Sequence, residues 1–105
     1  MIIQLITGIV EVGFMDALKN MAFQLDKTID NLFLVLGVEI DGKANLMIYI
    51  NRDLVTAKKY NAGKMIRTLA KEIKGGGGGQ PFFATAGGRD VSGLERALTK
   101  VKGLI

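Results

Sequence analysis

The period of apolar and polar positions changes several times along these 105 residues, and each change marks an element. Ile2 to Val12 is rich in Ile and Val and stops at Gly13, which predicts a strand. From Asp16 to Asp26 the apolar residues Leu18, Met21, Ala22 and Leu25 fall at spacings of three and four, the pattern of one helical face, with Asp16 near the positive end. Leu32 to Ile40 (LFLVLGVEI) is almost continuously apolar and too short for a helix of its own, as for a strand covered on both faces. Asp41-Gly42 suits a tight type I′ turn, and Ala44 to Ile50 returns as the second strand of a hairpin.

Asn51-Arg52-Asp53 then opens a polar connection, followed by a predicted helix over Ala62–Ile73. Its apolar residues Met65, Ile66, Leu69, Ala70 and Ile73 recur at helical spacing. On the side turned away from them, Lys64, Arg67, Lys71 and Lys74 fall within an arc of about 80° at about 100° per residue. That basic stripe runs directly into five glycines, Gly75 to Gly79. Pro81 blocks a helix at Gln80, and Phe82 to Ala86 is apolar and aromatic enough for a further strand, closed by Gly87-Gly88. Ser92 with Glu95 has the form of a capping box, and Leu94, Ala97, Leu98 and Val101 give a last helix its buried face. The expectation is an α/β fold: one small domain over residues 1–105, a mixed sheet of about four strands with three helices, ordered β-α-β-β-α-β-α, without a repeat.

Composition narrows the chemistry. An apolar fraction of 49% over this length suffices for one modest core. No window reaches the roughly 20 apolar residues of a membrane span, and MIIQLITGIVEV lacks basic flanks and a cleavage site, so no membrane partner and a cytoplasmic location are expected. Cysteine and histidine are absent, which removes disulfides, Cys/His zinc sites, a Cys nucleophile and a His general base. Met15, Met21, Met47 and Met65 read as core fillers, and Asp16, Asp26 and Asp30 as helix-end and surface charges.

Charge adds direction. Residues 1–41 hold two basic and six acidic side chains (−4) and residues 42–105 hold twelve and four (+8), giving the net +4. Such asymmetry suits a face that meets a polyanion, of which nucleic acid is the commonest, or a merely solvated basic face. Lys58-Lys59 reads by default as a solvated pair.

Three readings compete for the glycine run. A flexible linker is the compositional default, although both flanks belong to one core-forming unit. A phosphate-binding nucleotide loop requires a helix to follow, with Gly-Lys-Ser/Thr in the P-loop case, whereas Gln80-Pro81 and a strand follow here. The third reading is a side-chain-free surface at the end of the basic helix, where backbone N–H groups face a sugar-phosphate backbone or a stacked base pair, with Lys74 and Arg89 supplying charge. Phe82 and Phe83 could stack bases, but neighbours on a strand face opposite ways and core is the better reading for both.

Lys74-Gly-Gly-Gly-Gly-Gly-Gln80-Pro81-Phe-Phe-Ala-Thr-Ala-Gly-Gly88 closely resembles the glycine-rich signature of the C-terminal domain of alanyl-tRNA synthetases, a domain type also found in DHH-family phosphoesterases. The hairpin FLVLGVEIDGKANLMIYINRDLV, Asn61-Ala62-Gly63 ahead of the basic helix, and LERALTKVK match in the same order, from about Phe14 to the end. The phosphoesterase branch closes its glycine motif with a histidine that holds substrate, so Gln80 favours the synthetase branch; the oligonucleotide-binding half of a DHH-type phosphoesterase is the alternative. This chain departs from the synthetase pattern at Gly76 and Gln80, where a Lys or Arg is frequent, which shifts electrostatic contact toward the helix stripe and toward Lys58, Lys59 and Arg89.

The resemblance implies a non-catalytic tRNA-binding domain of alanine–tRNA ligase, holding the outer corner of the tRNA specific for alanine and assisting aminoacylation and editing by upstream catalytic and editing domains of the same chain. It implies no cofactor in this domain; ATP, magnesium and zinc belong to the parent enzyme. The implied RNA-binding residues are Lys64, Arg67, Lys71, Lys74, Gly75, Gly76, Gly77, Gly78, Gly79, Gln80 and Arg89. A dimerisation domain using the glycines as a close-packing surface is the third possibility.

Overall fold

A computed structural model describes residues 2–105; Met1 lies outside them. Five strands form one mixed sheet in the order β1-β2-β3-β5-β4, with four α-helices. β1 (Gln4–Val10) runs parallel to β2 (Leu32–Ile40), so the intervening α1 (Met15–Thr28) is a crossover, as parallel neighbours require. β2 and β3 (Lys43–Ile50) form the expected hairpin, with Ile40 opposite Lys43 and positive φ at Asp41 (53°) and Gly42 (76°), the two angles of a type I′ turn.

The sheet separates two cores. Phe33 and Val35 of β2 and Ala44, Leu46, Ile48 and Ile50 of β3 meet α3 (Ala62–Ala70) and α4 (Leu94–Lys100) on one side. Leu32, Leu34, Leu36 and Val38, with Met47 and Tyr49, meet Leu18 and Ala22 of α1 on the other. This two-sided burial is why β2 carries no alternation. Met47 is wholly buried, while Met15 and Met21 pack against the α1 core and Met65 against the other.

Several elements differ from the sequence expectation. The segment after Asn51 is not a plain connection but α2 (Arg52–Lys58), whose amide at Asp53 is capped by the Asn51 side chain at 2.9 Å. Leu54 is its one buried residue, too little for a visible helical period. The basic helix ends at Ala70 and tightens into a 3₁₀ turn over Lys71–Ile73 that still buries Ile73.

The glycines themselves form the fifth strand, β4 (Gly75–Gly79), at the sheet edge, and β5 extends over Phe83–Gly88, with Gly87 and Gly88 inside it rather than closing it. These two glycines pair with Asn45 and Ala44 on one side and with Gly76 and Gly75 on the other. No Ser92–Glu95 capping box forms. Asp90 caps instead, its carboxylate accepting from the Ser92 amide at 3.1 Å and from the Ser92 hydroxyl, which opens a 3₁₀ turn at Val91–Gly93 ahead of α4. Among the described residues, no helix is long and apolar enough to cross a membrane.

Candidate nucleic-acid interface

The site grows from the way α3 meets the sheet edge. Asn61 caps α3 by accepting from the Lys64 amide at 3.1 Å, and the Ala62 amide donates to the Pro81 carbonyl at 2.8 Å, fixing the start of the helix to the β4–β5 turn. A β-carbon on Gly63 would stand 2.7 Å from the Gly79 carbonyl oxygen, so helix and strand approach more closely than any larger residue allows. At the far end Lys74, at φ 53°, turns the chain from the 3₁₀ turn into β4. Helix and glycine strand therefore run side by side, tied at both ends.

The cations follow from this placement. Lys64, Arg67, Lys71 and Lys74 are all exposed, and none makes an ion pair among the described residues. The one acid of this segment, Glu72, lies 3.7 Å from Arg96 and 3.6 Å from Lys100 and is thereby occupied by the last helix. Arg67 reaches over the strand: its Nη2 is 3.9 Å from the point where a β-carbon on Gly78 would stand. Arg89 follows β5 directly, and since Gly75 pairs with Gly88, Lys74 and Arg89 flank the same end of the ladder. Lys58 and Lys59 are exposed at the end of α2.

The glycines divide into two sets. β-Carbons at Gly75, Gly77 and Gly79 would collide with the β5 backbone, for example at 2.5 Å from the Gly88 Cα, 2.6 Å from the Ala86 Cα and 2.7 Å from the Ala84 Cα. Gly76 has nothing within 4 Å and Gly78 has only the Arg67 side chain. The turn explains the alternation. Gln80 and Phe83 exchange both amide bonds, 2.7 and 3.3 Å, so the antiparallel ladder pairs Gly78 and Gly76 in the same manner. Gly75 and Gly77 then turn their N–H and C=O groups away from β5, offering backbone donors along a bare edge beside the basic stripe. Glycine is thus required at alternate positions by packing, and Gly76, where the sequence departs from the synthetase pattern, is a position with room for a side chain.

Around the turn the aromatics do not separate as strand alternation predicts. Phe82 sits in the turn rather than in β5, so it and Phe83 both pack half-buried against the α1-side core. The Arg52 guanidinium lies 4.3 Å from the Phe82 ring centre and the Lys19 ammonium 5.6 Å from that of Phe83. Neither pair was legible in the sequence, because its members come from elements far apart in the chain.

Beneath them Asp26 is more than a surface charge. It accepts from Asn51 Nδ2 at 2.8 Å and from the Tyr49 hydroxyl. Burial, then the hydrogen bond and the charge of Asp26, push the Tyr49 hydroxyl up to about 12. On the opposite side of the sheet, the Ser92 hydrogen bonds hold the Asp90 carboxyl below its usual range, with a smaller contribution from the charges of Arg96 and Lys74. Among the described residues no three His, Cys, Asp or Glu side chains gather closely enough for a metal ion.

The chain that carries this glycine-edged sheet and basic helix belongs to the DHHA1 domain family, whose model matches residues 3–105. Within that class its likeness is to alanine–tRNA ligases. The ligase of Cytophaga hutchinsonii is 53% identical over 90 residues, which make up 86% of this chain and 10% of the ligase. That of Christiangramia forsetii is 53% identical over 88 residues, 84% of this chain and 10% of the ligase. The crystal structure of the C-Ala domain from Aquifex aeolicus alanyl-tRNA synthetase superimposes with a TM-score of 0.85 at 27% identity, covering 96% of this chain and 89% of that one. The chain spans about a tenth of the length of the ligases it matches.

Proposed function

We propose that this chain is the tRNA-binding module of an alanine–tRNA ligase, acting in the cytoplasm and holding the outer corner of the tRNA specific for alanine while other domains of the same enzyme aminoacylate and edit it. It contributes no catalytic group; ATP, magnesium and zinc act in those other domains. The observation that carries this reading is the row of exposed cations Lys64, Arg67, Lys71 and Lys74, unpaired by acids, beside a strand whose outward surface is backbone alone. RNA duplexes are recognised through shape and backbone rather than through base edges in a deep groove, which suits such a surface. Gly75 to Gly79, Gln80 and Arg89 complete the contact.

The test is a titration of the chain with alanine tRNA at two salt concentrations, beside a variant with Lys64, Arg67 and Lys71 changed to Ala. Binding that weakens with salt and is lost in the variant is the expected result, because each phosphate neutralised releases condensed counterion. Equal binding by both proteins would remove the RNA from the stripe.

A further inference from the structure

The α1 side of the sheet is only half covered. α1 packs over β2 and β3, and Lys19 extends from it over the ring of Phe83 in β5. The side chains that β5 and the outer part of β3 present there are Phe83, Thr85, Asn45, Lys43 and Arg89, none of them acidic, with Gly87 bare between them. At one end Arg52 and Lys19 stand over the half-buried rings of Phe82 and Phe83, at 4.3 and 5.6 Å. At the other end Lys43, Asn45, Gly87, Gly88 and Arg89 line a shallow cleft of about 380 Å³.

We propose that this uncovered face takes unpaired nucleobases of the same RNA, with the Phe82 ring and its Arg52 partner as the stacking platform and the Lys43–Arg89 cleft receiving an adjoining phosphate. The inference rests on the tRNA-binding reading and adds a second kind of contact to it. Aromatic rings and arginine planes are what unstacked bases pack on, and cations at both ends of this face complement a short run of RNA backbone. The platform is held in place: the Phe82 carbonyl accepts from the Ile50 amide at 2.8 Å and the Pro81 carbonyl from Ala62 at 2.8 Å, so the ring is presented by a turn fixed to both β3 and α3. The bare edge of β4 joins this face to the stripe, with Arg67 lying across the boundary at Gly78.

The experiment compares Phe82→Leu and Phe82→Trp with the unchanged chain and with the stripe variant, measuring affinity for alanine tRNA across a salt series. Phe82→Leu keeps apolar bulk and removes the π-face; equal melting temperatures verify that the turn is intact, and Phe82→Trp supplies the face again. The expected result is about a ten-fold loss of affinity for Phe82→Leu with an unchanged salt slope, and recovery in Phe82→Trp. The stripe variant should flatten the slope instead. Wild-type affinity in Phe82→Leu together with lost binding in the stripe variant would overturn the proposal while leaving the tRNA-binding reading intact. No binding by any of the proteins would overturn both.

Discussion

Gly77 stands opposite Ala86 across the outermost pair of strands, so close that a β-carbon on the glycine would come within 2.6 Å of both Cα and Cβ of the alanine. Gly77→Ala must therefore push β4 away from β5 or distort it, and a loss of roughly 1–3 kcal/mol is expected in urea denaturation. Gly76→Ala meets nothing within 4 Å and should be neutral or stabilising by up to about 1 kcal/mol, since it reduces the freedom of the unfolded chain. Equal losses at the two positions would refute the alternation.

The room at Gly76 also bears on binding. A lysine there would extend from the bare edge beside Arg67 and Lys71, so Gly76→Lys should raise affinity for tRNA and steepen the dependence of log K on log salt by about one further ion. Measured by salt titration, a slope equal to that of the parent chain would place the RNA away from β4.

Asn51 joins two helices. Its side chain caps α2 through the Asp53 amide and donates to Asp26 of α1. Asn51→Ala is expected to cost roughly 1–2 kcal/mol, the upper half of the range for a lost cap, because Asp26 loses a donor as well. Asn51→Asp retains the cap but sets two carboxylates together, and its stability should recover as pH is lowered toward 4.

Tyr49 provides a pH signature. The folded protein holds its phenolic proton to about pH 12, whereas an unfolded tyrosine releases it near 10, so stability is undiminished below pH 10 and declines as pH rises from there through 12. The absorbance of tyrosinate at alkaline pH should show a late-titrating phase, and Tyr49→Phe should remove it.

What could be read from the sequence depended on whether side chains carried the information. The buried run Leu32–Val38, the Asp41-Gly42 turn and the apolar face of α3 all announce themselves by residue type, and the structure has them as expected. The glycine strand does not. Strands are recognised by alternation of side chains, and here the pairing is dictated by small partners, Ala84 and Ala86, that leave no space opposite Gly79 and Gly77. Residue type at Gly75–Gly79 is therefore compatible with a linker, a loop or a bare surface and does not predict a strand of the sheet. α2 leaves no helical period in the sequence for the same kind of reason, having one buried residue.

The basic stripe was legible, because helical periodicity alone gathers Lys64, Arg67 and Lys71 on one side. Its relation to Glu72 was not, since that depends on Arg96 and Lys100 arriving from the end of the chain. At α4 the Ser92–Glu95 spacing was a true pattern without the geometry. Asp90, two residues earlier, binds the Ser92 amide and hydroxyl first and begins a 3₁₀ turn where the capping box would have started an α-helix.

A strand made only of glycine has no grip of its own. Each glycine surrenders roughly 0.5–1 kcal/mol more chain entropy on ordering than an alanine would, so five of them make β4 the costliest strand of the sheet to hold in place. Its order is borrowed from β5 on one side and from the α3 backbone at Gly63 on the other. The edge that faces outward is thus the segment nearest to opening, a soft margin on a rigid sheet, and its amide protons should exchange earliest among the strands and slow most when a ligand lies along it.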